Sequence, residues 1–223
     1  VNGQAYVTLI AQGRYQDALE VVKRELPFPG VLGRICPHPC EEVCNRGVVD
    51  EPIAICGLKR FIADKVKAEG GEKKPVVAER KTEKAAIVGA GPAGLSCAYF
   101  LALRGYGVTV FEALPVVGGM LSVGIPDYRL PPDILAEEVR GVTDLGVEIK
   151  VNSPIGPDLT MDTLFQQGYG AIFLAMGAHG SMPLNIKGEG ARGVVSGVKF
   201  LRDFNLGRKV EVGERVVVIG GGN

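Results

Sequence analysis

The sequence predicts a multidomain α+β chain, a helical first third followed by an α/β region with a parallel sheet. Three observations carry this. Apolar residues recur at helical spacing through residues 1–69, the period breaks off over 70–81, and short apolar strand runs then alternate with helical stretches from Thr82 onward.

Residues 4–12 and 15–26 read as helices, the second carrying Tyr15, Ala18, Leu19, Val22 and Leu26 on one face. Gly13 separates them, and Pro27 and Pro29 end the second. A cysteine-bearing loop is expected over 33–50. Pro52 then opens a helix to about Glu69, striped by Ile55, Leu58, Ile62 and Val66. The stretch 70–81, GGEKKPVVAERK, reads as a solvated linker. Beyond it come strand 85–88, helix 94–104, strand 108–111, helix 132–145 and strand 147–151, with further apolar strand runs at 171–175 and 216–219. Continuous apolar runs of this kind fit strands covered on both faces. The expected division is 1–69, a helical cysteine domain; 70–81, the linker; 82–212, an incomplete nucleotide-binding domain; and 213–223, the start of another. The chain begins at Val1 and stops just after an apolar run meets Gly220, Gly221 and Gly222, so it is expected to be an internal fragment of a longer protein.

Composition narrows the function. The 25 basic residues balance 25 acidic ones, which argues against nucleic acid as the partner. At 46% hydrophobic the chain is expected to fold, and no stretch approaches the roughly 18 apolar residues of a membrane helix.

The most specific motif is Gly89-Ala90-Gly91-Pro92-Ala93-Gly94, which follows a strand and opens a helix, with Glu112 ending the next strand. Gly89 permits a tight turn, Gly91 lets backbone N–H groups approach a pyrophosphate, and Gly94 lets helix and strand pack closely. The helix start offers unpaired donors and a positive dipole end, and Glu112 can accept from ribose hydroxyls. The region is thus expected to be Rossmann-like. Two features favour FAD over a nicotinamide cofactor here. A second strand–glycine start lies near the C-terminus, where a separate NAD(P)H unit would begin, and Gly118-Gly119-Met120 offers another close backbone approach. A disulfide reductase would need a cysteine pair beside the flavin, and Cys97 stands alone there as an expected small buried residue.

Four cysteines fall within twenty-one residues: Cys36, Cys40, Cys44 and Cys56. Thiolates so clustered suggest metal rather than disulfides, and the spacing leaves iron–sulfur and zinc both open. Cys56 is expected in the first turn of a helix, where the dipole favours its thiolate. His38 and His179 read as loop residues, and no Ser–His–Asp set supports a hydrolase.

The segments GRICPHPCEEVCNRGVVDEPIAICGLKRFIADK, KAAIVGAGPAGLSCAYFLALRGYGVTVFEA and GGMLSVGIPDYRLP, in this order, resemble the glutamate synthase small subunit family. The resemblance implies a helical iron–sulfur domain followed by a Rossmann-like FAD domain into which an NAD(P)H domain is inserted. Electrons would pass from NAD(P)H through FAD to [4Fe-4S] clusters and on to a large subunit or fused domain, in a cytoplasmic protein. By the same resemblance the FAD diphosphate meets the turn 89–94, the ribose meets Glu112 beside Ala113, and Gly118, Gly119 and Met120 lie along the cofactor. Arg129 matches a FAD-contacting arginine, Ile155 a backbone contact, and Ala175, Met176 and Gly177 a strand-end motif touching FAD. Gly220 and Gly222 belong to the start of the NAD(P)H loop. Cys44 would serve one cluster, Cys36 and Cys40 the other, with Cys56 the favoured last ligand. The family's further cysteine run upstream has no counterpart in this sequence, so either the shared clusters stay incomplete or one forms from the four thiols present. A second reading is a non-catalytic metal-binding and docking module with a structurally retained nucleotide.

Overall fold

The computed structural model describes residues 1–221. Its first part holds α1 (Gly3–Ala11), α2 (Tyr15–Lys23), α3 (Pro29–Ile35), α4 (Pro39–Glu42), a 3₁₀ turn (Asn45–Val48) and α5 (Ile55–Ala68). The helices form for local reasons. Asn2 caps α1 by accepting the Ala5 N–H, Pro29 and Pro39 stand where a helix start needs no N–H, and the stripes of α2 and α5 face each other. Tyr6, Ala18, Leu19, Val22, Ile62 and Val66 close a core between α1, α2 and α5.

The second part holds β1 (Lys84–Val88), α6 (Pro92–Leu103), β2 (Gly107–Phe111), α7 (Met120–Val123), α8 (Pro132–Thr143), β3 (Glu148–Lys150), α9 (Met161–Gln166), β4 (Tyr169–Leu174) and α10 (Gly197–Asn205). The four strands pair in parallel in the order β3-β2-β1-β4. β1, central and apolar from Ala85 to Val88, is buried along that run. α6 and α8 cover one face. Phe28 and Val31, at the start of α3, belong to this second core beside Leu95, Val110 and Ile134.

Three expectations are corrected, and one is refined. The segment 33–50 is not all loop: it contains the end of α3, α4 and the 3₁₀ turn, and the following helix starts at Ile55, three residues after Pro52. The stretch 70–81 has no helix or strand and is largely exposed, and it is tied down at a few points. Gln16 donates to the Gly71 carbonyl and Lys23 pairs with Glu72 at 2.6 Å, while the N–H groups of Ala78 and Lys81 bond the carbonyls of Leu103 and Gly105. Cover on both sheet faces holds for β1 and β2 but fails at β4, where Phe173 and Leu174 are 43% and 51% exposed. Residues 216–219 form no strand and are 61–86% exposed. An apolar run becomes a strand only when a neighbour supplies its ladder and a facing layer its cover, and among the described residues this run meets neither.

Candidate functional site

The strongest candidate lies at the carboxyl ends of β1 and β2, where open α/β sheets bind ligands. β1 ends at Val88 and the chain turns through Gly89 with φ +104°. A Cβ there would collide with the Ala175 carbonyl, which follows β4, and a Cβ on Gly94 would collide with the Gly89 carbonyl. These two glycines are therefore required by the fold itself. Gly91 is different. Its φ of −78° and ψ of −178° suit any residue, and an added Cβ would find only the Gly119 Cα, at 3.9 Å. The space above Gly91 is open, at the start of α6, where no side chain caps the first N–H groups. Pro92 and Ala93 are exposed on that first turn. Unpaired amides, a dipole end and an open backbone approach fit a diphosphate.

Glu112, at the end of β2, is only 6% exposed. Its carboxylate accepts the Ala90 N–H at 2.6 Å and the Leu114 N–H at 2.8 Å, so it ties β2 to the turn after β1. Each oxygen retains further lone pairs, the capacity a ribose diol would use. Gly118 donates to the Ala90 carbonyl at 2.9 Å, and Gly119 stands so close to Gly91 that a Cβ on it would lie 2.8 Å from the Gly91 Cα. Met120 then opens α7, and Ala113 is exposed at the rim. The structure thus brings 89–94, 112 and 118–119 together at the ends of β1 and β2, with Ala175 against Gly89. Met176 and Gly177 follow as exposed chain. Arg129 lies in the turn before α8, and its guanidinium forms no ion pair with a carboxylate among the described residues. Ile155 packs in a separate apolar cluster with Phe111, Leu164 and Tyr169. Gly220 lies in irregular chain with φ +105°, and Gly222 falls outside the described residues.

The cysteines divide. Cys36 ends α3, Cys40 is exposed on α4, and both stand near enough to Cys56 for their charges to act on it. Cys56 lies in the first turn of α5, where the helix dipole was expected to favour its thiolate. Instead burial, and next the Cys36 charge, push the thiol up, and its Sγ faces the Leu32 and Gly33 carbonyls at 3.5 and 3.7 Å. Its backbone N–H is held by the Glu41 carboxylate at 2.7 Å. Cys44 stands apart. Backbone N–H groups of Ile53 and then of Arg46, directed at its sulfur, hold its thiol below the usual value. Among the described residues no three His, Cys, Asp or Glu side chains converge on one point, so these four thiols do not form a single site here. Their softness suits iron–sulfur or zinc, and of the other three cysteines Cys36 and Cys40 are the ones whose charges reach Cys56. Lys59, one turn past Cys56 and buried, adds a positive charge facing that thiol.

The sequence reading missed Glu138. This carboxylate on α8 is half-buried, and loss of water around it pushes it up to about 7 against the pull of the Val31 and Gly30 N–H groups, whose hydrogen bonds it accepts. A signal was present: Glu138 sits four residues from both Ile134 and Val142, inside the apolar stripe of its helix, where a charge is out of place.

Comparison with known proteins gives two family matches. The pyridine nucleotide-disulphide oxidoreductase family matches residues 83–223, and the family described as dihydropyrimidine dehydrogenase domain II, 4Fe-4S cluster, matches residues 1–71. The chain is 51% identical to the beta subunit of the NADP(+)-dependent formate dehydrogenase of Moorella thermoacetica, covering 98% of this chain and 34% of that one. It is 43% identical to the beta subunit of the NADPH-Fe(3+) oxidoreductase of Geobacter sulfurreducens, with 98% and 33% covered. It is 36% identical to the small chain of the NADPH glutamate synthase of Bacillus subtilis, with 96% and 45% covered. The chain therefore spans about a third to under half of the length of these relatives. Among solved structures, FprA of Mycobacterium tuberculosis in complex with NADPH shares the fold, with a TM-score of 0.50 at 23% identity over 56% of this chain and 29% of that one.

Proposed function

The chain belongs to the pyridine nucleotide-disulphide oxidoreductase family, and from that premise we propose that it is part of an NAD(P)H-dependent FAD and iron–sulfur oxidoreductase that delivers electrons to a partner subunit or fused domain. The observation that carries the reading is the open approach above Gly91, at an uncapped helix start, beside the buried Glu112. Nothing in the fold asks for glycine there, whereas a diphosphate would.

Bound at this site, FAD supplies the chemistry of accepting an electron pair as hydride from a reduced nicotinamide and releasing single electrons to an iron–sulfur centre. The chain's own share is positional. The first amides of α6 hold the diphosphate, and Glu112 accepts from the adenosine ribose hydroxyls while keeping the Ala90 turn in place. Ala113, Gly118, Gly119 and Met120 line the path of the cofactor, and Arg129, Ile155 and residues 175–177 are assigned to its further contacts. Gly220 belongs to the beginning of a loop for NAD(P)H. No side chain has to act as acid or base for hydride transfer, and residues 83–223 hold the single cysteine Cys97, so no dithiol couple is drawn from them. Cys36, Cys40 and Cys56 are assigned to one cluster and Cys44 to another, each completed by ligands from elsewhere. The division at 70–81 separates the cluster-bearing part from the flavin-bearing part.

The partner is an electron-accepting subunit, as the beta-subunit names of two relatives suggest for those proteins. No helix among the described residues is long and apolar enough to cross a membrane, and the unpaired cysteines support a cytoplasmic setting. The test is the visible spectrum and the iron and sulfide content of the natively purified protein. Flavin bands bleached by NADPH, together with iron and sulfide, are expected. Zinc without flavin would establish the docking-module reading instead.

A further inference from the structure

α3 stands between the two parts of the molecule. On one side its backbone touches α5, where a Cβ on Gly33 would lie 2.7 Å from the Arg60 Cα. On the other side Glu138 of α8 reaches it. The backbone N–H groups of Gly30 and Val31 donate to the two carboxylate oxygens at 2.6 and 3.0 Å, across more than a hundred residues of sequence. Of the charged groups around this crevice, Lys23 and Glu72 are paired with each other at 2.6 Å, and Lys67 of α5 pairs with Glu137 of α8 at 2.6 Å. A crevice of about 170 Å³ opens beside Glu138, and the carboxylate adds a polar hold on α3 to the apolar contacts of Phe28 and Val31. The far end of α3 is Cys36, and the chain entering α8 is the turn that carries Arg129.

We propose that Glu138 is a positioning residue: by holding the first turn of α3 it fixes the Cys36–Cys40 segment against the nucleotide-binding part. A carboxylate does this where an apolar side chain could not, because two adjacent amides need acceptors and one rigid fork supplies both. What the placement does for electron transfer rests on the function proposed above.

The test is site-resolved alkylation of the intact chain by iodoacetamide, each cysteine followed by mass spectrometry, in the wild type, Glu138→Ala, Glu138→Gln and Gly30→Ala. Glu138→Ala should speed alkylation of Cys36 about tenfold, because local opening exposes a half-buried thiol, and leave Cys97 unchanged. Glu138→Gln keeps one acceptor and should show a rise of about threefold. Gly30→Ala, whose Cβ would stand 3.0 Å from the Glu138 carboxylate oxygen, should disturb the same contact from the other side. Should Glu138→Ala fail to fold, the other two variants decide. An unchanged Cys36 in both, or Cys36 and Cys97 accelerating together, overturns the proposal. In the cofactor-loaded protein, Glu138→Gln should slow oxidation of the reduced flavin by the cluster while leaving its reduction by NADPH unaltered. If no cofactor loads at all, the proposed function fails, and the alkylation result still decides the role of Glu138.

Discussion

The turn at 89–94 and the cysteine segment at 36–56, each proposed above to hold a redox group, are built in opposite ways. The turn is finished by the fold. Its strand is buried, Gly89 and Gly94 are locked against backbone, and Glu112 staples it to β2. The cysteine segment is left open. Cys40 is exposed, Val43, Val48 and Val49 face solvent, and among the described residues the four sulfurs do not converge. Phosphate recognition by backbone amides comes free with a strand–turn–helix, so one chain can preform it. A thiolate-held metal group is different, because its ligands repel one another until the metal neutralises them, and convergence has to wait for it.

The largest test of this contrast is the pair Gly94→Ala and Gly91→Ala. The first drives a Cβ into the Gly89 carbonyl and should cost about 3 kcal/mol or more, read as a lowered denaturation midpoint, with flavin binding lost as well. The second should leave stability within about 0.5 kcal/mol and abolish flavin binding alone. Equal stability losses would erase the distinction between a glycine required by the fold and one required by a ligand.

The folding stability of the chain should respond to pH through Glu138, apart from the local hold on α3, which needs both oxygens of the ionised carboxylate. Burial raises its carboxyl from 4.5 to about 7 in the folded chain. The protonated form is thus favoured by folding, and its contribution is full below about pH 4.5 and lost as pH rises through about 7. That loss is on the order of 3 kcal/mol. Urea denaturation at pH 5 and pH 8 should show it in the wild type, and Glu138→Gln should flatten the difference.

A smaller effect is expected within the preformed site. Glu112→Ala leaves the Ala90 and Leu114 N–H groups without their acceptor and should destabilise the chain by about 2 kcal/mol, read from the same denaturation curves. The smallest concerns the open site. Cys44, whose thiol is held low by backbone N–H groups, should be alkylated several-fold faster at neutral pH than Cys97, whose thiol burial pushes up. Equal rates would remove the separate character given to Cys44.

Local pattern made most of the fold legible. The stripe of Leu19 and Val22 marked α2, and the runs 85–88 and 108–111, joined by the glycine turn, marked a parallel pair with a crossover helix. The turn itself was readable because its chemistry resides in one short segment. Three things were not. The ties of 70–81 to α2 and to the end of α6 are long-range hydrogen bonds, which no period reports. Residues 216–219 carry a strand composition but meet no partner among the described residues, and composition cannot supply a ladder. Cys56 has the helix position of a thiolate, yet its burial among the Leu32 and Gly33 carbonyls belongs to tertiary structure.

The most direct test of the central claim is a titration of the ¹⁵N-labelled chain with FAD, observed at the backbone amides. Movement concentrated at Gly91, Ala93 and Gly94, with Ala113 and Gly119 following and the amides of α5 still, is the predicted result. Binding that shifts other amides while those of Gly91 to Gly94 stay in place would contradict it.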